Sequence, residues 1–179
     1  MKPRVFVFRG APASGKGTVV PVFAKTLQKP AALIEQDRLR WGFHLIGREV
    51  HEITPDEHRF AYENTLLLFE RYLKSNNYNI IVEGLFTYDD NRSNQGSVTD
   101  LQEIANRYNY NVTSIVLRAD KDTLRERNNK RAYTVSSDEF NDLYESIYKK
   151  IGAEELVIDT TTLSINQTIA KILTATKRN

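Results

Sequence analysis

Between residues 10 and 18 the chain reads Gly10-Ala11-Pro12-Ala13-Ser14-Gly15-Lys16-Gly17-Thr18. Glycines let a backbone curl tightly enough for successive N–H groups to face one centre, the arrangement that holds phosphate oxygens. A helix starting near Gly15 would add the positive end of its dipole, and Lys16 a mobile charge for the outer phosphates of a nucleoside triphosphate. The expected nucleotide contacts are therefore Gly10, Ala13, Ser14, Gly15, Lys16, Gly17 and Thr18. A glycine-rich turn carrying a surface lysine would share this composition, but it would not need a strand before it and a helix after it. The commoner form of the motif has Ser or Thr directly after the lysine as a magnesium ligand. Here Gly17 takes that place and the hydroxyl is displaced to Thr18, so a direct protein ligand or water-mediated binding of Mg2+ both stay open.

A second group of candidates follows in Ile34-Glu35-Gln36-Asp37-Arg38-Leu39-Arg40. If a helix begins here, Asp37 and Arg40 share one face, a base for an acceptor hydroxyl beside a cation for the acceptor's phosphate or the transferred group. The plainer alternative is that Asp37 caps the helix and Arg40 is solvated. Glu83, in Ile80-Ile81-Val82-Glu83-Gly84, closes an apolar run, and an acid there can hold magnesium through water or orient an acceptor. Gly84 is expected to let the chain turn away. Trp41, Phe43 and His44 could wall an acceptor site, although aromatic residues on a helix more often belong to a core.

A third group is basic. Leu124-Arg125-Glu126-Arg127-Asn128-Asn129-Lys130-Arg131 lies in a charged stretch, and arginines closing over a transferring phosphoryl group stabilise its equatorial charge. A solvated helix face explains Arg125 and Lys130 well enough. Arg127 and Arg131, read as one helical turn apart, are the candidates for a lid over about residues 120–137.

The elements that must position these groups show as short apolar runs alternating with helix-length segments. Val5–Phe8, Ala31–Ile34, Asn79–Glu83, Val112–Leu117 and Leu156–Ile158 read as five strands. Helical patterns extend from the phosphate loop to about Gln28 and over Leu39–Val50. Thr54-Pro55-Asp56-Glu57 has the cap, proline and acids of another helix start, with Phe60, Leu67, Leu68 and Tyr72 taken as its interior. This predicts an α/β, three-layer P-loop sandwich with a mainly parallel five-stranded sheet, organised as one domain over 1–179. In such sheets ligands bind beyond the carboxyl ends of the strands, which would bring Asp37 to the phosphate loop. The polar stretch Thr87–Thr99 and the charged stretch Arg118–Val135 resist the alternation and read as loops.

With 40% hydrophobic and 27% charged residues and no long apolar run, nothing points to a membrane span. Absence of cysteine excludes thiolate metal sites and a cysteine nucleophile and agrees with a cytoplasmic location. A net charge of +2 is too small to choose between nucleic acid and a metabolite as partner.

The loop resembles that of adenylate kinases and related nucleoside monophosphate kinases, Gly-x-Pro-Gly-x-Gly-Lys-Gly-Thr, with Ala13 in place of one glycine; the resemblance puts Thr18 near the α-phosphate. Asp37-Arg38-Leu39-Arg40, together with Arg127-Asn128-Asn129-Lys130-Arg131, Val135 and Leu143-Tyr144-Glu145-Ser146, resembles the kinase module of polynucleotide 5′-hydroxyl kinases and their zeta-toxin-like relatives. That resemblance implies that Asp37 activates the acceptor hydroxyl, Arg40 binds the acceptor's phosphate, Arg131 is the lid arginine, and Arg127 lines the adenine side with Asp159-Thr160-Thr161. The Gly-Lys-Gly-Thr ending and the absence of an attached phosphatase or ligase domain depart from that group. The expectation is an ATP-dependent kinase, or one using a related NTP, working with Mg2+ on a hydroxyl acceptor: a nucleic-acid 5′-end, a nucleoside or nucleotide, a sugar or another alcohol. The alternative is a P-loop ATPase acting as a switch or assembly factor. That would call for a water-positioning residue and switch segments, and no convincing example stands in the chain.

Overall fold

The first strand, β1 (Val5–Arg9), is buried along its whole length, and its side chains divide by the two-residue period of a strand. Val5 and Val7 join one apolar cluster while Phe6 and Phe8 join another, so both faces of the strand are covered. That makes β1 the centre of the sheet. In the computed structural model, which describes residues 3–42, 54–89, 94–132 and 134–176, the strand order is β2-β3-β1-β4-β5. Here β2 is Ala31–Glu35, β3 Asn79–Gly84, β4 Val112–Arg118 and β5 Leu156–Asp159, and every pairing is parallel. The sheet is thus wholly parallel rather than mainly so.

On one face α1 (Lys16–Ala24) and α7 (Ile165–Thr176) bring Val19, Val20, Phe23, Ile169 and Ile172 against Phe6 and Phe8. On the other, α3 (Pro55–Ser75) and α4 (Val98–Arg107) bring Tyr62, Phe69, Leu73 and Leu101 against Val5, Val7 and Val82. The start of α3 follows from its sequence: the Thr54 hydroxyl accepts from Glu57 N, the Glu57 carboxylate accepts from Thr54 N at 2.8 Å, and Pro55 occupies the first turn. Its buried face matches the expected one in part, with Leu68 and Tyr72 packed against the core. Ala61, Tyr62, Thr65, Phe69 and Leu73 point inward, while Phe60 and Leu67 are 52% and 66% exposed.

The helix after the phosphate loop ends at Ala24, short of Gln28. Of the helical pattern expected over Leu39–Val50, a short helix α2 (Gln36–Trp41) carries the described part; Phe43 and His44 lie outside the described residues. The charged stretch is not a loop. Asp120 caps α5 (Lys121–Asn129), accepting from Thr123 N at 2.8 Å, and Leu124 meets Phe140 of α6 (Ser137–Tyr148) in a third small cluster. Its solvent side is neutralised by Arg125–Asp122 and Lys130–Glu126 pairs, the pattern of a solvated helix face.

Arg9 is the exception to the apolar rule in β1. Its fully buried guanidinium is bidentate to Glu155, 2.8 and 2.5 Å, and reaches the Ile147 carbonyl at 2.5 Å; Ser114 Oγ and Gly152 N complete the Glu155 carboxylate. A buried charge is tolerated when paired and fully hydrogen-bonded in this way. The pair ties the end of α6 and the approach to β5 to the strand that carries the phosphate loop.

Candidate active site

Directly after β1 the chain enters the loop through two residues of positive φ, Ala13 at 63° and Gly15 at 96°. Gly15 is the N-cap of α1 and makes no side-chain cap, so its conformation lets the first helical N–H groups face outward into the cleft. Ala13 takes the same left-handed region where the resembling motif has glycine, a conformation that costs an L-residue about 1 kcal/mol. Two tethers fix the loop from behind. Ala11 N donates to the Tyr148 hydroxyl at 3.0 Å, which in turn donates to Leu117 O at 2.8 Å; burial pushes the Tyr148 phenol up to about 12, so it keeps its proton. Thr160 Oγ1 spans Arg118 O at 3.1 Å and Ser14 O at 3.5 Å.

The loop opens on a cleft of about 1310 Å³. Single-ligand pockets run to roughly 300–1,000 Å³, and the cleft exceeds that range. Lys16, Asp37, Arg40, Glu83, Arg127, Arg131 and Thr160 all line it, together with Ala13, Ser14, Gly15, Gly17 and Thr18. Gly10 sits just behind, its carbonyl accepting from Lys16 Nζ at 2.7 Å; Ala11 O is 3.2 Å from the same nitrogen. Nothing stands within 4 Å of where a Cβ on Gly17 would lie, which leaves the space beside Lys16 clear.

Charge is concentrated where β1, β2 and β3 end. Register places Glu83 beside Phe8 on one side and beside Glu35 on the other. Burial pushes the Glu83 carboxyl up to about 7, with Lys16 opposing the shift and Asp37 and Glu35 adding to it. Burial likewise lowers Lys16, while Glu83 and Asp37 pull it back and Arg131 and Arg40 reinforce the lowering. Six groups from four parts of the chain therefore feel one another's fields. Gly84 stays within β3 and is not a turn. A Cβ there would stand 2.4 Å from Gln36 Oε1 and 2.6 Å from the Phe86 ring, so glycine is needed for close approach.

On α2 the N-cap is Glu35, without a side-chain cap, and Asp37 lies inside the first turn, so the capping alternative for Asp37 does not apply. Asp37 accepts from Arg40 Nη2 at 2.7 Å instead. Arg40 Nη1 lies 3.4 Å from His58 Nδ1, a partner on α3 that sequence spacing did not indicate. Trp41 is 49% exposed on the cleft wall rather than in a core. Across the cleft, Arg127 donates to Thr160 Oγ1 at 3.2 Å and to Thr160 O at 2.8 Å. Arg131 lies beyond the last residue of α5, so it is not one helical turn from Arg127; its backbone N closes a turn to Asn128 O, and its exposed side chain faces the cleft.

Comparison with known proteins agrees with this geometry. Residues 5–149 match a family described as AAA domain, and the chain belongs to that family. A candidate kinase from Chloroflexus aurantiacus superposes with a TM-score of 0.72 at 20% identity, covering 99% of this chain and 98% of that one. A gluconokinase from Sinorhizobium meliloti 1021 gives 0.68 at 18% identity over 98% and 93%. A chain of the Pnkp1/Rnl/Hen1 RNA repair complex gives 0.60 at 18% identity, with 83% of this chain against 45% of that one. The fold is therefore the kinase-like P-loop NTPase fold. Among the described residues no helix is long and apolar enough to cross a membrane.

Proposed function

We propose that this chain is a P-loop phosphotransferase that moves the terminal phosphoryl group of ATP, or a related NTP, to a hydroxyl acceptor. The observation that carries the reading is the sharing of one cleft by the phosphate loop and the Asp37–Arg40 pair. The loop N–H groups and Lys16 hold the triphosphate; Lys16 leaves the carbonyls of Gly10 and Ala11 for the phosphate oxygens. Arg127, anchored on Thr160, lines the base. Asp37 takes the proton of the acceptor hydroxyl as its oxygen bonds to the γ-phosphorus, the bond to the bridging β–γ oxygen breaks, and the nucleoside diphosphate leaves. Arg40 orients Asp37 and meets anionic groups of the acceptor, and Arg131 closes from the lid segment over the transferred group.

The residues present fit magnesium. A buried carboxylate held near neutral pH by lack of solvent, with Glu35 alongside, is a place that a cation relieves. Among the described residues no group of three His, Cys, Asp or Glu forms a ready cage. That suits an ion that keeps its waters and takes phosphate oxygens, with Glu83 as a partner through water and Thr18 beside the loop. When bound, Mg2+ neutralises charge on the phosphates.

The polynucleotide 5′-hydroxyl kinase group supplies one acceptor class, supported by the Asp37-to-Arg40 motif and by likeness to a chain of an RNA repair complex. A gluconokinase among the similar structures supports a sugar. Incubation with γ-labelled ATP, Mg2+ and a panel of 5′-hydroxyl oligonucleotides, nucleosides, nucleotides and sugars tests the proposal. Label should move to one acceptor class. Label found only as free phosphate would favour a hydrolytic switch.

A further inference from the structure

Among the described residues, His58 is a cleft residue outside the phosphotransfer set that touches a member of it, Arg40, from another helix. Its place is set by the start of its helix: the capping box at Thr54 and Pro55 fix the first turn of α3, and His58 N donates to Thr54 O at 3.0 Å. By contrast α2 has six residues and no side-chain N-cap, too short to hold its own geometry without tertiary ties. Arg40 supplies such a tie. Its guanidinium splits between Asp37 Oδ1 at 2.7 Å and His58 Nδ1 at 3.4 Å, and its Nε is buried with no partner among the described residues. Among the described residues, the arginine's other side-chain partner is the carboxylate that it is proposed to orient.

We propose that His58 is a positioning residue: as a neutral imidazole it accepts from Arg40 and so holds the Arg40–Asp37 pair in register with the phosphate loop. The role rests on the phosphotransferase reading. Acceptance at Nδ1 requires the proton on Nε2 and an uncharged ring. The charged groups facing His58 are Arg40 and Asp37 from α2 and Glu57 from its own helix, whose carboxylate is committed to Thr54. Burial first, and Arg40 second, lower His58 below its ordinary 6.5, so the ring is neutral where the enzyme would work. As pH falls through that lowered value Nδ1 gains a proton, and two cationic donors then face each other. The bond to Arg40 is lost on the acid side.

The test uses the full chain with His58→Ala and His58→Asn, the second offering an amide oxygen that accepts and does not titrate. With the acceptor identified by the labelled-ATP panel, His58→Ala should lower kcat roughly tenfold or more while the nucleotide KM holds, the scale of a catalytic group displaced by a fraction of an ångström. His58→Asn should recover most of that rate, and should lose the part of the acid limb that separates it from wild type; titration of Glu83 is common to both. Nitrogen-15 NMR of the ligand-free protein adds a readout that needs no activity. The His58 ring, identified among three histidines by its disappearance in His58→Asn, should show an unprotonated Nδ1 at pH 7.5, and its pKa should rise in Arg40→Ala. A protonated Nδ1 at that pH, or His58→Ala with unchanged kcat in a wild type that does transfer phosphate, would overturn the role alone. A wild type that transfers to no acceptor would overturn the phosphotransferase reading and this role with it.

Discussion

Residues 10–18 build one end of the cleft from consecutive backbone, whereas the opposite end is assembled from side chains on three separate elements: Asp37 and Arg40 on α2, Glu83 on β3 and His58 on α3. The first end needs few side chains. Ala13 stands in a glycine conformation and Gly17 takes the place of a hydroxyl residue, while Tyr148 and Thr160 hold the loop from behind. On the proposed roles the second end would depend on every member, since Arg40 would orient Asp37 only while it is itself held. A backbone-built site should thus fail at its single irreplaceable charge, and a side-chain-built site should fail by degrees at several places.

The largest effect is expected at Lys16. Lys16→Ala removes the only side-chain charge within the loop, and both nucleotide affinity and transfer should fall a hundredfold or more, the scale of losing a preorganised charge at the reacting phosphates. Equilibrium binding of a fluorescent ATP analogue, alongside the labelled-ATP assay, checks it; retention of both would show that the loop does not grip a triphosphate. Asp37→Asn should separate the two ends. Nucleotide binding should persist while transfer drops by about a hundredfold, as for a lost general base. Turnover at the wild-type rate would remove Asp37 from the chemistry.

Glu83 sharpens the contrast through stability. Its folded-state value of about 7 lies above the ordinary 4.5, so the folded ligand-free chain holds a proton that the unfolded chain releases between those values. The stability this group contributes is full below pH 4.5 and is lost as pH rises through about 7. Glu83→Gln, which keeps the shape without the charge, should therefore raise the ligand-free melting temperature at pH 8 by roughly 3–6 °C, corresponding to about 1–2 kcal/mol. The gain should vanish at pH 4.5, and Mg2+-dependent transfer should fall. An unaltered melting profile at pH 8 would mean that the carboxylate is already well compensated. Smallest is Ala13→Gly: relief of a positive φ, offset by added freedom of the unfolded chain, should raise melting by about a degree or two. A drop would show that the loop's side chain, and not only its backbone, matters.

Legibility in the sequence divided along the same line. A nine-residue motif between an apolar run and a helix is local, so β1, the loop and α1 were readable, as was the capped start of α3. All five strands stood out because buried parallel strands are short and apolar. What failed was nonlocal. Leu68 and Tyr72 pack against the core as expected, but Phe60 and Leu67 are hydrophobic and lie on the outer face of α3, so counting apolar residues picked only half of the stripe. The basic run around Arg127 gave no sign that Asp120 would cap it or that Leu124 and Asn128 would be its buried residues. Arg9 reads as the end of a strand until Glu155, 146 residues away, is seen to pair with it. His58 and Tyr148 touch site residues through helices whose relative placement no spacing encodes. Asp37 and Arg40 were visible because three residues of helix put them together; the contact of Arg40 with His58 was not.

A crystal structure with Mg2+ and a non-hydrolysable ATP analogue tests the central claim most directly. The account predicts the triphosphate wrapped by residues 10–18, Lys16 Nζ turned from the carbonyls of Gly10 and Ala11 to the outer phosphates, and the Asp37 carboxylate facing the γ-phosphorus from the side opposite the bridging oxygen. A triphosphate bound elsewhere, or Asp37 directed away from the γ-phosphate, would contradict it.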